Sequence, residues 1–187
     1  MLIGVYIGSF NPVHIGHIKI ARHLIEKNYV DKVLIIPTGN YWNKQDLVDI
    51  KDRINMLKLY ETDNIIIDDK HNDIEYTYQL LNQLEKESID NEYALIIGAD
   101  NIVDFDKWKN YQEILNRQLI ILNRNGIDIN KYLKKLGKNT KYKITTDLEN
   151  INISSTDIRN RLKNNEDNIE NIDSEVFSYI KEHNLYK

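Results

Sequence analysis

GSFNPVHIGH, residues 8–17, joins an apolar run to an amphipathic one. Leu2 to Ile7 predict a buried strand, and residues 14–28 predict an amphipathic helix. The turn between them presents free backbone N–H groups at the positive end of a helix dipole, where anions bind well. His14 and His17 lie about one helical turn apart, so both can face the same phosphate chain. The stretch therefore predicts a phosphate-binding strand–turn–helix unit without a glycine-rich P-loop.

Composition narrows the class of protein. The chain has 187 residues, a formal net charge of -4 and no cysteine. Its length predicts one domain over residues 1–187, with a C-terminal helical part from about residue 150. No apolar run approaches the roughly 20 residues that span a bilayer, and we find no signal peptide, so we expect a cytoplasmic protein without a membrane partner. The missing cysteines exclude thiolate zinc sites and thiol nucleophiles, and the negative charge argues against a nucleic-acid partner.

Short Ile- and Val-rich runs alternate with helical patterns along the whole chain. This alternation predicts a Rossmann-like α/β fold, with a doubly wound, mostly parallel sheet and helices on both faces. The predicted strands are 2–7, 32–36, 64–67, 93–97, 118–122 and 142–145. The predicted helices are 14–28, 49–61, 75–87, 110–116, 127–136, 155–164 and 173–184. His23, His71 and His183 have no motif around them and are expected at the surface, with residues 68–73 as a solvated turn.

Three of the predicted strands end in turn residues. Strand 2–7 runs into residues 8–12, strand 32–36 into 37–40, and strand 93–97 into 98–101. Parallel strands end at the same edge of a sheet, and ligands of open α/β sheets bind at that edge. We therefore expect the histidines of residues 14–17 to lie close to Lys44 and Asp100.

A second signature, INISSTDIRNRL, lies at residues 151–162. Ser154 or Ser155 can cap a helix whose free N–H groups point outward. Arg159 lies about one turn inside that helix and can reach an anion held at its start. Two helix N-termini together with two histidines, a lysine and an arginine would form a site for a polyphosphate.

These two signatures together resemble the nucleotidyltransferase superfamily, which includes class I aminoacyl-tRNA synthetases and small adenylyl- and cytidylyltransferases. HIGH at residues 14–17 is similar to its H-x-G-H motif, and ISSTDIR at 153–159 to its I-S-S-T-x-I-R motif. Within the superfamily the chain most resembles the nicotinate mononucleotide adenylyltransferases. EYT at 75–77 falls where that family has S-Y-T, IGADN at 97–101 resembles its I-I-G-x-D segment, and Trp108 falls near its ring-binding tryptophan.

The resemblance implies transfer of AMP from ATP to nicotinate mononucleotide, with Mg²⁺ carried by the ATP and no metal site on the protein. It implies catalytic roles for His14, His17, Lys44 and Arg159. The implied ATP-binding residues are Gly8, Ser9, Phe10, His14, His17, Gly98, Asp100, Ile153, Ser154, Ser155, Thr156 and Arg159. The implied mononucleotide-binding residues are Ser9, Asn11, Lys44, Tyr76, Thr77 and Trp108.

Several alternatives stay open from the sequence. PTGNY at 37–41, Asn11 and Lys109 depart from the family pattern, which leaves nicotinamide mononucleotide as an acceptor. Phosphopantetheine adenylyltransferase, a cytidylyltransferase and a module that senses NAD or ATP are further candidates, and a homo-oligomer is open. His14 and His17 can also serve only to cap a helix, and Trp108 only to fill the core.

Overall fold

A six-stranded, fully parallel sheet forms the centre of the protein in the computed structural model, which describes residues 1–39, 47–123, 126–137, 140–147, 153–167 and 169–187. The strand order is β3-β2-β1-β4-β5-β6. The strands are β1 (Leu2–Gly8), β2 (Lys32–Pro37), β3 (Ile65–Ile67), β4 (Glu92–Gly98), β5 (Gln118–Leu122) and β6 (Tyr142–Thr145). Each predicted strand is present, with ends that agree within one residue, and the predicted fold class is confirmed.

The helices connect the strands and close the chain. They are α1 (Ile15–Glu26), α2 (Ile50–Lys58), α3 (Thr77–Glu87), α4 (Ala99–Ile102), α5 (Tyr111–Ile114), α6 (Ile129–Leu136), α7 (Ser155–Lys163) and α8 (Ser174–Glu182). A 3-10 turn spans Phe105–Lys107. The ends of the seven predicted helices agree with the structure within three residues. Helix α4 and the 3-10 turn lie in a region for which the sequence pattern predicts no regular structure.

Alternating side chains of the strands build two cores, one on each face of the sheet. On β1, for example, Val5 enters one core and Tyr6 the other. Helices α1, α2, α7 and α8 cover the Tyr6 face, while α3, α4, α5 and α6 cover the Val5 face. The C-terminal helices thus bury Ile158 and Val176 in the same core as the N-terminal half. The division into domains stays a prediction.

The order of the strands reverses at β1. The chain moves outward from β1 through β2 to β3, then returns to β4 on the other side of β1 and continues outward to β6. The carboxyl ends of β1 and β4 therefore face a crevice between connections that leave in opposite directions. Such a crevice is where open α/β sheets bind their ligands.

The turn at residues 68–73 exposes Asp69, Lys70 and Asp73 as expected, but the expectation that His71 lies at the surface is wrong. His71 and Asp68 are each only 9% exposed. The His71 ring lies 2.7 Å from Asp68 Oδ2 through Nδ1 and 3.1 Å from Glu87 Oε2 through Nε2. Burial lowers the pKa of His71, but the hydrogen bonds to the two carboxylates outweigh it and leave the pKa above its ordinary value. The two carboxylate partners offset the desolvation cost of burying this histidine.

No helix among the described ranges has the length and apolar character needed to cross a membrane.

Candidate active site

The turn between β1 and α1 is shaped by one inward-pointing aromatic side chain. Phe10 has a left-handed backbone, with φ of 45°, and is 2% exposed. Its ring contacts Tyr6 edge-on at 5.5 Å and His17 at 4.9 Å between ring centroids. A Cβ atom at Gly8 would come within 3.0 Å of the same ring, so Gly8 lets the phenyl group approach the end of β1 closely. The Phe10 side chain of this turn therefore packs against the imidazole of His17.

The two histidines of the first signature are in contact. Their rings stack with centroids 3.7 Å apart, and the backbone N–H of His14 donates to His17 Nδ1 at 3.2 Å. Because Nδ1 accepts this bond, the neutral His17 ring carries its proton on Nε2. Nε2–H is then a hydrogen-bond donor whose orientation the backbone fixes.

His14 is the more buried of the pair, at 5% exposure. Burial lowers the pKa of His14 to about 4, so the ring is neutral at physiological pH. Its Nδ1 is buried without a hydrogen-bond partner among the described residues. His14 is also the N-cap of α1, and the His17 ring accepts from its backbone N–H, so the helix-capping role that the sequence leaves open is present in the structure.

The second signature lies directly against the first. Ser155 Oγ donates to the carbonyl of Pro12 at 3.0 Å, and Arg159 Nη1 donates to the carbonyl of Asn11 at 2.8 Å. Arg159 Nη2 also donates to Thr156 Oγ1 at 3.1 Å. The expectation that two segments about 140 residues apart meet at one site is confirmed, since these contacts span 143 and 148 residues.

Helix α7 begins as the sequence predicts. Ser154 is its N-cap, and the Ser154 side chain accepts a hydrogen bond from Thr156 N at 3.2 Å. Ser155 instead uses its hydroxyl to bind the β1–α1 turn. The positive end of α7 is therefore fixed against the β1–α1 turn, where it favours an anion.

Two adjoining cavities open at the carboxyl edge of β1 and β4, with volumes of about 560 and 240 Å³. The walls common to both are Ile7, Gly8, Thr77, Asn101 and Trp108. The larger cavity adds Ser9 and Tyr76, which the sequence assigns to mononucleotide binding. The smaller one adds Phe10, His17 and Gly98, which it assigns to ATP binding. Two adjoining cavities that share wall residues suit two substrates that react with each other.

Other predicted site residues are placed differently. Asp100 is exposed in the first turn of α4 and does not line either of these cavities, and Ile153 packs against the core on the α1 side. Lys44 lies outside the described residues. Asn11 is 3% exposed, and its Oδ1 accepts hydrogen bonds from Tyr186 and from Val48 N. Asn11 thus supports the turn from inside, and its ligand contact stays a prediction.

Sequence reasoning missed Arg53, although this residue holds the site together. Arg53 is fully buried, and its Nη1 donates to the carbonyls of Ser9 at 2.9 Å and Thr38 at 2.7 Å. Its Nε donates to the carbonyl of Val48 at 3.1 Å. One guanidinium thereby joins the turns that follow β1 and β2. An arginine on an amphipathic helix gives no sign in the sequence that it points inward.

Asn101 was also missed, although it lines both cavities. Here a signal was present, because Asn101 belongs to the IGADN segment that resembles the family pattern. The structure assigns the cavity wall to Asn101, one residue beyond Asp100.

Comparison with known proteins agrees with this geometry. The model of the cytidylyltransferase-like family matches residues 5–161. A protein of Fusobacterium nucleatum named probable nicotinate-nucleotide adenylyltransferase is 37% identical over 174 residues, covering 89% of this chain and 90% of the relative. A protein of Acholeplasma laidlawii with the same name is 36% identical over 194 residues, covering 100% and 98%. The chain belongs to the nicotinate-nucleotide adenylyltransferase family.

The fold of this nicotinate-nucleotide adenylyltransferase family member also has solved counterparts. Plasmodium falciparum nicotinic acid mononucleotide adenylyltransferase complexed with NaAD aligns with a TM-score of 0.81 and 23% identity, covering 99% of this chain and 97% of that one. The alignment supports the same arrangement of strands and helices. The family membership that the two signatures predict is confirmed.

Proposed function

We propose that this protein transfers the adenylyl group of ATP to nicotinate mononucleotide, giving deamido-NAD and pyrophosphate in NAD biosynthesis. The observation that carries the proposal is the pair of adjoining cavities, with His17 lining one and Tyr76 lining the other. Both lie at the sheet edge where a strand order reversal places ligands. The names of the relatives support nicotinate mononucleotide as the acceptor over nicotinamide mononucleotide.

The reaction needs alignment and charge neutralisation more than proton transfer. A phosphate oxygen of the mononucleotide attacks the α-phosphorus of ATP, the bond to the oxygen that bridges to the β-phosphorus breaks, and pyrophosphate leaves. The attacking oxygen is already anionic, so the reaction requires no general base. Holding the two reactants in line can supply roughly 7–11 kcal/mol of the barrier reduction. Donors aimed at the developing charge supply more.

His17 in the smaller cavity and the start of α7, which is bonded to the β1–α1 turn, fit the phosphate end of ATP. His17 would donate its Nε2–H to the α-phosphate, and neutral His14 lies stacked against it. Arg159 would hold the β- and γ-phosphates together with the backbone N–H groups of Ser155 and Thr156, the latter now bonded to Ser154 Oγ. Ser155 and Arg159 both hydrogen-bond the β1–α1 turn, which brings them to one place. Gly8, at the end of β1, lines the smaller cavity.

The residues at the larger cavity fit a pyridine nucleotide. Trp108 has its indole backed by Phe105, with ring centroids 5.1 Å apart, and presents a flat apolar surface for the pyridine ring. Thr77, at the start of α3, and Tyr76 next to it also line this cavity and carry hydroxyl groups. Ser9 also lines this cavity.

The remaining assignments rest on the resemblance. We propose that Lys44 contacts the phosphates, that Asp100 contacts the adenosine ribose, and that Asn11 contributes at the mononucleotide. Mg²⁺ would enter with ATP, held by phosphate oxygens and water, and would neutralise charge on the triphosphate. The described residues contain no group of three or more His, Asp or Glu side chains that could hold a metal.

The proposal is tested by measuring pyrophosphate release from ATP with each candidate acceptor in turn. We expect the highest kcat/KM with nicotinate mononucleotide and a lower value with nicotinamide mononucleotide. Turnover with phosphopantetheine alone would assign the protein to the sister adenylyltransferase. Binding of ATP and mononucleotide without any release of pyrophosphate would favour a sensor over an enzyme.

Lys109 is expected to favour the charged acceptor. Lys107 and Lys109 both line the larger cavity, but Lys107 Nζ lies 2.6 Å from Asp104 Oδ1, which neutralises its charge. The ring of nicotinate carries a carboxylate where nicotinamide carries a neutral amide. Lys109→Gln should therefore lower kcat/KM for nicotinate mononucleotide about threefold, a modest factor because the residue is exposed, and leave the nicotinamide value unchanged.

Lys107→Gln is the matched control for Lys109, since it removes the same charge from the same wall but from a lysine already paired with a carboxylate. Its ratio of kcat/KM values for the two acceptors should equal that of the unmodified protein. An unchanged ratio in Lys109→Gln, or an equal change in both variants, would contradict a role for Lys109 in selecting the acceptor.

A further inference from the structure

We propose that the tyrosine at the C-terminal end of the chain, Tyr186, is a positioning residue for Arg159. It would act through Asn11, and we call the hydrogen-bonded set Tyr186, Asn11 and Arg159 the clasp. The inference rests on the proposed function, in which Arg159 holds the β- and γ-phosphates of ATP. It adds a residue that follows α8 and lies far along the chain from both nucleotide-binding signatures.

The C-terminal tail turns back under the active site. After α8, Leu185 N donates to the carbonyl of Ile180 at 3.0 Å, and Asn184 and Tyr186 have left-handed backbones with φ of 53° and 61°. This path buries Tyr186 to 7% exposure, one residue before the end of the chain. Its hydroxyl donates to Asn11 Oδ1 at 2.8 Å.

Asn11 connects the tail to the catalytic residues. Its side-chain oxygen takes the hydrogen bond from Tyr186 and a second one, at 3.3 Å, from Val48 N. Its backbone oxygen accepts from Arg159 Nη1 at 2.8 Å. Since both oxygens belong to one buried residue, fixing the side chain also restricts the direction of the carbonyl that holds the guanidinium.

The Tyr186 hydroxyl is suited to donate its hydrogen bond to Asn11 at all times. Burial raises the pKa of Tyr186, with Arg159 and Arg53 acting in the opposite direction, so the hydroxyl keeps its proton across the physiological range. A protonated phenol can keep donating to Asn11 throughout the catalytic cycle.

Tyr186→Phe tests the clasp, because it removes one hydroxyl and leaves the buried ring in place. We expect kcat/KM for ATP to fall about fivefold, within the range that loss of a single neutral hydrogen bond gives. Tyr179→Phe is the matched control. The Tyr179 hydroxyl also joins α8 to another element, donating to Asp52 Oδ1 at 2.8 Å, but it does not contact the clasp.

The two variants should lose similar amounts of thermal stability, whereas only Tyr186→Phe should lose activity. An unchanged kcat/KM for ATP in Tyr186→Phe, or an equal decrease in Tyr179→Phe, would overturn the inference. The route through Arg159 is tested by combining Tyr186→Phe with Arg159→Lys. We expect the tyrosine change to cost less than twofold in that background, and fully multiplicative effects would contradict the route.

Calorimetry with inorganic pyrophosphate separates this inference from the proposed reaction. The Kd for pyrophosphate should rise about fivefold in Tyr186→Phe and stay constant in Tyr179→Phe, whether or not the protein turns over nicotinate mononucleotide. If the unmodified protein releases no pyrophosphate from ATP, the proposed function fails while the calorimetry still decides the clasp. If it turns over and both variants bind pyrophosphate equally, the clasp fails alone.

Discussion

Replacing His17 with alanine is expected to lower kcat by about 10²- to 10³-fold and to change KM for ATP by less than about threefold. The Nε2–H of His17 is aimed by the hydrogen bond that its Nδ1 accepts from His14 N at 3.2 Å. A donor fixed in this way stabilises charge that grows on the α-phosphate only as the transition state forms, and loss of one such donor costs about this factor. Steady-state pyrophosphate release at saturating nicotinate mononucleotide measures both parameters.

His23→Ala provides the control for His17→Ala on the same helix. His23 Nε2 lies 3.0 Å from Asp147 Oδ1, and the residue does not line either cavity, so kcat should be unaffected by its removal. His17→Asn restores a side-chain N–H donor of shorter reach and should recover part of the lost kcat. A His17→Ala enzyme with normal kcat would exclude this residue from the transition state and would require a different source of charge stabilisation.

The fold could be predicted because its strands are buried on both faces. Runs such as VLII in β2 and ALII in β4 are almost continuously apolar, which distinguishes them from the amphipathic helices between them. The short elements after β4 were harder, because four residues of α4 are too few to display a helical period. His71 was misplaced for another reason. Glu87, one of its two carboxylate partners, lies 16 residues further along the chain, and nothing local predicts their contact.

The residues of the site fall into two groups, those that local motifs identify and those that only long-range contacts bring into place. The β1–α1 turn and the start of α7 each carry their chemistry within about ten residues, so their motifs identify them. The residues that hold those segments together do not. Arg53 reaches carbonyls 44 and 15 residues away, and Tyr186 reaches across 175 residues to Asn11. Such contacts depend on how the helices are placed on the sheet, which composition and periodicity do not specify.

Replacing Trp108 with alanine is expected to raise KM for nicotinate mononucleotide about tenfold and to leave KM for ATP nearly unchanged. The indole contributes stacking with the pyridine ring, worth about 0.5–1.5 kcal/mol beyond the apolar area that it covers. The effect should appear mainly in KM because the ring is bound equally in the ground and transition states, so kcat should change little. Trp108→Phe keeps an aromatic surface and should recover most of the affinity.

Tyr111→Ala separates substrate stacking from packing in the same aromatic cluster. Tyr111 and Trp108 both contact Phe105, with ring centroids 6.3 and 5.1 Å away, but only Trp108 lines the cavities. Removing Tyr111 should therefore lower the melting temperature and leave both KM values as they are. Trp108 borders the smaller cavity as well, which makes the KM for ATP decisive. If Trp108→Ala raised both KM values by the same factor, the indole would support the shared wall of the two cavities, and the pyridine ring would have to bind elsewhere.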